Sequence, residues 1–78
     1  EVNTLAERLE REGQIRDAIT IYEMNRAFYP ESRAIVGTLG RLYESNQDIP
    51  SAIRMYERML ELSPENKQAK ERLEALRD

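Results

Sequence analysis

The chain repeats itself every 34 residues. Laid against itself at that offset, 13 of its 44 overlapping positions carry the same residue, among them Leu5/Leu39, Glu10/Glu44, Ala18/Ala52, Ile19/Ile53, Tyr22/Tyr56, Glu23/Glu57 and Pro30/Pro64. Unrelated sequence of ordinary composition would share about three. A period of this size belongs to solenoids, in which a supersecondary unit too short to bury its own apolar face stacks on copies of itself. The repeat therefore constrains the core closely. It leaves the choice of partner to the surface residues between the matches.

Within each period the apolar residues recur at helical spacing, and strand-like alternation is absent. Val2, Leu5, Ala6 and Leu9 form a first stripe that stops near Gly13, a residue suited to a helix C-terminus. Ile15, Ala18, Ile19 and Tyr22 form a second, with Phe28 near its end. Pro30 is expected to break that helix and open the next, since proline is tolerated at a first helical position. A third stripe, Val36, Leu39, Gly40, Leu42 and Tyr43, ends around Ser45-Asn46. Asp48 is the expected N-cap of a fourth helix, which has Pro50 in its first turn and carries Ile49, Ala52, Ile53, Tyr56, Met59 and Leu60. Ser63-Pro64-Glu65 reads as the cap, first residue and dipole-facing acid of a fifth helix over residues 65–77. That helix is apolar only along Ala69, Leu73 and Leu76, which suits a capping helix with one side on the stack and the rest in water.

The expected fold is thus all-α: two antiparallel helix-turn-helix repeats, 1–32 and 33–66, and a capping helix, 67–78, giving five helices in a single domain. The chain begins at Glu1 already inside the pattern, and it reads as a piece of a longer protein.

These residues resemble the tetratricopeptide repeat (TPR). In the second unit Leu39-Gly40, Tyr43, Ala52-Ile53, Tyr56, Leu60 and Pro64 fall at that family's intervals; in the first, Leu5-Ala6, Leu9, Gly13, Ala18-Ile19, Tyr22 and Pro30 do so. Ala6, Gly40, Ala18 and Ala52 are small where the two helices of a unit approach closely. Tyr22 and Tyr56 fill the space beside those crossings, with hydroxyls expected in water. The departures are Val2 and Val36 in place of an aromatic, and Asn25 in place of alanine. The family's glycine–aspartate corner is Gly13-Gln14 in one unit and Gln47-Asp48 in the other. Asn25, Tyr29-Pro30-Glu31-Ser32 and the closing run Leu60–Asn66 are also similar to the short TPR tails of bacterial serine hydrolases of the esterase and β-lactamase-like kind.

The resemblance implies a TPR-type α-solenoid whose first helix in each unit lines a concave groove for a peptide or a helix. The candidates on those helices are Asn3, Glu7 and Glu10, then Arg33, Gly37, Thr38, Arg41 and Glu44, then Gln68 and Glu71. Arg41, flanked by the small Gly37 and Thr38, is the expected anchor for a carboxylate, with Glu44 or Glu7 as its alternative partner within the chain. Glu7 and Glu71 are expected to repel a C-terminal carboxylate. A different class of function is homo-oligomerisation, or docking on a parent hydrolase, through the open side of the first helix at Val2, Leu5 and Leu9.

Composition bears on the remaining classes. With no histidine and no cysteine, the chain lacks the usual general base and the usual metal ligands, and no catalytic residue, metal or cofactor is expected. Ser32, Ser45, Ser51 and Ser63 fall at predicted helix ends, where capping is the ordinary role. A net charge of −3 argues against nucleic acid. The longest apolar runs are too short for a membrane span or a signal-peptide core. Met24, Met55 and Met59 lie at apolar helical positions and are expected to pack. The cytoplasm and the bacterial cell envelope both remain open as locations.

Overall fold

A computed structural model of the chain describes residues 3–77, without the side chain of Asn3. The expectations for Val2 therefore lie outside the described residues. Five helices are present: α1 (Asn3–Arg11), α2 (Ile15–Phe28), α3 (Arg33–Ser45), α4 (Ile49–Leu62) and α5 (Lys67–Arg77). No strand occurs among the described residues. Each helix packs on the next, and the connections are too short for neighbours to run other than antiparallel. The period is kept to the residue: α2 and α4 start and end 34 apart, as do the starts of α3 and α5 and the ends of α1 and α3.

The two sharp corners explain part of this precision. The Gly13 N–H bonds the Glu10 carbonyl at 3.1 Å and the Gln14 N–H bonds the Leu9 carbonyl at 2.8 Å. Residues 47 and 48 repeat the pattern, with Gln47 to Glu44 and Asp48 to Tyr43, both at 2.9 Å. This pair of hydrogen bonds closes a helix around a left-handed residue. Gly13 takes that conformation freely at φ 80°, whereas Gln47 is held there at φ 61°, at a cost of roughly 1–2 kcal/mol for a side chain with a Cβ. The caps that follow are unequal in the opposite sense. The Asp48 carboxylate accepts from the Ser51 N–H at 3.3 Å and the Ser51 hydroxyl at 2.8 Å, while Gln14 makes no side-chain cap bond. Each unit carries one good half of the corner.

The proline junctions differ from the expectation. Pro30 and Pro64 are not first helical residues. Each is the second residue of a four-residue turn, closed by the Ser32 N–H on the Tyr29 carbonyl at 3.1 Å and by the Asn66 N–H on the Ser63 carbonyl at 3.0 Å. The fixed φ of proline suits that place as well as a helix start. The side chain two residues later decides between them. Ser32 Oγ accepts from the Ile35 N–H at 3.3 Å and Asn66 Oδ1 from the Ala69 N–H at 3.0 Å, so these two residues are the N-caps. Ser63 instead closes α4 with its N–H on the Met59 carbonyl at 2.8 Å, and Glu65 stands before α5.

The core forms two clusters. The first joins Ala6, Ala18, Ile19, Tyr22, Ile35, Val36, Leu39, Leu42 and Met55; the second joins Ala52, Tyr56, Ala69 and Leu73, with Leu76 packed against it. The closing helix therefore uses the narrow stripe that the sequence offers. Gly40 is the tightest point: a Cβ there would stand 3.0–3.2 Å from the ring of Tyr56. The same atom on Gly37 would meet only the Met59 thioether, at 3.5 Å. Asn25 is buried in α2. Met55 packs as expected, but Met24 does not, being 57% exposed.

Two outcomes follow from these corners and contacts. Gln47→Gly and Gln14→Asp should each stabilise by about 0.5–1 kcal/mol, together raising the thermal midpoint by roughly 5–10 °C in a calorimetric scan. Gly40→Val should cost about 2 kcal/mol by overpacking Tyr56, while Gly37→Ala should be neutral or stabilise by up to about 1 kcal/mol through helix propensity, both read from denaturant midpoints.

Candidate functional site

The odd-numbered helices α1, α3 and α5 are tied in a row by ion pairs. Glu10 in the last turn of α1 accepts from Arg41 on α3 at 2.5 Å. Glu44, its counterpart 34 residues on, accepts from Arg72 on α5 through both arginine nitrogens Nε and Nη2, the former at 3.2 Å. A carboxylate at a helix C-terminus works against the helix dipole, so these two glutamates stabilise through their partners and not through their own helices. Their arginines sit 31 and 28 residues further on, one helical turn apart in register.

A tyrosine from the intervening even helix stands beside each pair. The Tyr56 hydroxyl donates to Glu44 at 2.6 Å, so it is bonded to the protein where the sequence placed it in water. Burial and this contact push the Tyr56 phenol up to about 12. Arg72, and after it Tyr56, hold the Glu44 carboxyl below its ordinary value against an opposing effect of burial. Tyr22, at the equivalent place, has its phenol raised by burial and then by the charges of Glu10 and Glu7. The other repeated acid pair works in the same way: Glu23 on α2 accepts from the Tyr43 hydroxyl of α3, and Glu57 on α4 from Arg77 of α5 at 2.5 Å. Burial and Glu23 push Tyr43 up to about 12 as well.

Between α3 and α5, over α4, lies a groove of about 660 Å³. Six of the sequence candidates meet there: Arg33, Gly37, Thr38, Arg41 and Glu44 from α3, and Gln68 from α5. Glu7 and Glu71 are exposed and do not line it, and the side chain of Asn3 lies outside the described residues. Arg41 is paired with Glu10, not with Glu7 or Glu44. Glu7 and Glu71 thus stand outside this groove, although Glu7 is near enough to Tyr22 to raise its phenol by charge. Three arginines line the groove, Arg33, Arg41 and Arg72; Glu10 offsets Arg41 and Glu44 offsets Arg72, which leaves the charge of Arg33 unpaired among the described residues.

Sequence reasoning missed Arg72, Met59, Asn66 and Ala34, which complete the lining with Tyr56 and Ala69. The repeat carried no signal for Arg72, since its register is three residues off that of Arg41 relative to the glutamate. Met59 comes into view because Gly37 has no side chain above it. Among the described residues no three histidine, cysteine or acidic side chains could hold a metal ion, and no helix is long and apolar enough to cross a membrane.

The tyrosine bonds make stability depend on pH. A phenol at about 12 when folded and 10.0 when unfolded contributes fully below pH 10.0, and that contribution is lost as pH rises through about 12. Thermal melts over this range should show stability falling, and Tyr43→Phe with Tyr56→Phe should flatten the fall while costing about 1 kcal/mol each near neutrality. Glu44 acts at the acid end: its lowered carboxyl contributes above its ordinary value of 4.5 and loses that contribution as pH drops through its folded value. Glu44→Gln should remove that part of the acid limb.

Compared with known proteins, the chain matches no family model and no curated protein.

Proposed function

We propose that the chain is a TPR-type interaction module without catalytic chemistry of its own, and that the groove between α3 and α5 binds a peptide segment bearing an acidic side chain. The observation that carries this reading is Arg33 in the groove lining, unpaired among the described residues. Apart from the offset pairs Arg41–Glu10 and Arg72–Glu44, this groove of a chain of net charge −3 presents that one arginine, beside the apolar Met59, Ala34 and Ala69. Arg41 and Arg72 are already held by Glu10 and Glu44, so little side-chain freedom is lost when a ligand arrives. Arg33 makes no ion pair among the described residues, which leaves its planar fork for a carboxylate. The groove volume is within the range of pockets that enclose small ligands and side-chain clusters. The residue-by-residue repetition of the helix bounds supports the family reading.

A second reading, docking or self-association of the kind expected for the tail of a bacterial hydrolase, is favoured by the exposed apolar side of α1 and α2. Leu5 is 47% exposed there, whereas its counterpart Leu39 is wholly buried.

Selection of random displayed peptides against the folded chain tests the groove. Enriched sequences should pair an acidic residue with an apolar one, and Arg33→Glu or Gly37→Leu should weaken them at least tenfold. Binding should also fall with added salt. Failure to enrich, or binders indifferent to both substitutions, would remove the groove from the account.

A further inference from the structure

The chain's internal repeat gives a direct comparison of one surface covered and uncovered. Leu39, Met55 and Leu62 stand 34 residues after Leu5, Ile21 and Phe28. In the second unit Leu39 and Met55 belong to the first core cluster and Leu62 packs against it, and α2 supplies Ala18, Ile19 and Tyr22 to that same cluster. In the first unit two of the three equivalents lack that cover, Leu5 at 47% and Phe28 at 78% exposed, while Ile21 is half-buried and packs against the first cluster. Met24, on the same side of α2 as Ile21 and Phe28 by helical spacing, is 57% exposed. Large apolar side chains grouped on one side in this way mark a surface that takes a partner.

We propose that the outer side of α1 and α2, formed by the exposed Leu5, Met24 and Phe28 beside the half-buried Ile21, docks an amphipathic helix from outside this five-helix body, laid across α1 as α2 lies across α3. The second unit specifies the chemistry of that helix. It needs a stripe that is small, β-branched and aromatic in turn, like Ala18, Ile19 and Tyr22. It differs from α2 at one position. In the covered unit Glu23 of α2 meets the Tyr43 hydroxyl. The residue equivalent to Tyr43 is Leu9, which is apolar and half-buried, so the docked helix should carry an apolar residue where α2 has Glu23. Neither α2 nor α4 of a second copy is free to be that helix. The packing side of α2 is taken by α3 and that of α4 by α5. The surface shares no residue with the α3–α5 groove and does not rest on the groove reading.

The probe is a fluorescein-labelled synthetic peptide with the sequence of residues 14–29 and the change Glu23→Leu, titrated against the intact chain by fluorescence anisotropy. Saturable binding is expected, at least fivefold tighter than for the same peptide with Glu23 kept. Phe28→Glu in the protein should weaken it at least tenfold. Since Phe28 is 78% exposed, that variant should keep its circular dichroism spectrum and melt. Leu5→Glu gives a second variant on the other helix of the surface. Arg33→Glu should leave this binding unchanged, which separates it from the groove. Absence of saturation, or binding indifferent to both Phe28→Glu and Leu5→Glu, overturns the proposal. So does a concentration-dependent dimer of the free chain that Phe28→Glu converts to monomer, because the surface would then belong to a second copy.

Discussion

The seat of Tyr56 on Gly40 is the contact through which the core reaches the groove. The absence of a side chain at Gly40 lets the aromatic ring lie where even a methyl group would be 3.0–3.2 Å from three of its atoms. With the ring fixed there, its hydroxyl reaches Glu44 at 2.6 Å, and Glu44 in turn holds Arg72 of α5. One missing Cβ thus connects α3, α4 and α5, and sets the far wall of the groove. The ring burial and the small-residue packing stabilise by desolvation and close contact. The exposed ion pairs at their edge contribute little each. Their value is in fixing where the arginines stand.

The same logic recurs one unit earlier with different residues. Glu10, Tyr22 and Arg41 come together as Glu44, Tyr56 and Arg72 do, with Ala6 where the later unit has Gly40, but Tyr22 meets Glu10 through charge and not through a hydroxyl bond like that of Tyr56. The glutamates and tyrosines keep the 34-residue register, and the arginines do not. An arginine side chain is long and flexible enough to reach the same carboxylate from a position one turn away, so selection for the pair need not preserve its register. That tolerance is why the repeat is strict in the core and loose at the groove.

Legibility follows from this difference. The helices, their order and the core positions were readable because apolar spacing and a fixed period answer to packing, which permits few alternatives. The proline junctions misled because one fixed φ fits both a turn and a helix start, and only the acceptor at Ser32 or Asn66 distinguishes them. Most of the groove residues on α3 were readable from their face of the helix. Arg72 and the Glu10 partner of Arg41 were not, since both depend on how far a long side chain reaches between helices distant in sequence. Met24 illustrates the converse: its apolar character agrees with the helical stripe, and nothing local says that this side of α2 has no cover.

A double-mutant cycle of Gly40→Ala with Tyr56→Leu, read from denaturant unfolding, tests the central contact most directly. With Tyr56 present, Gly40→Ala should destabilise despite the helix-propensity gain of about 1 kcal/mol that alanine brings. With Tyr56→Leu, which removes the ring, the same substitution should stabilise, giving a coupling of at least about 1 kcal/mol. Equal effects of Gly40→Ala in the two backgrounds would contradict the account, because the missing side chain would then have no connection to the ring.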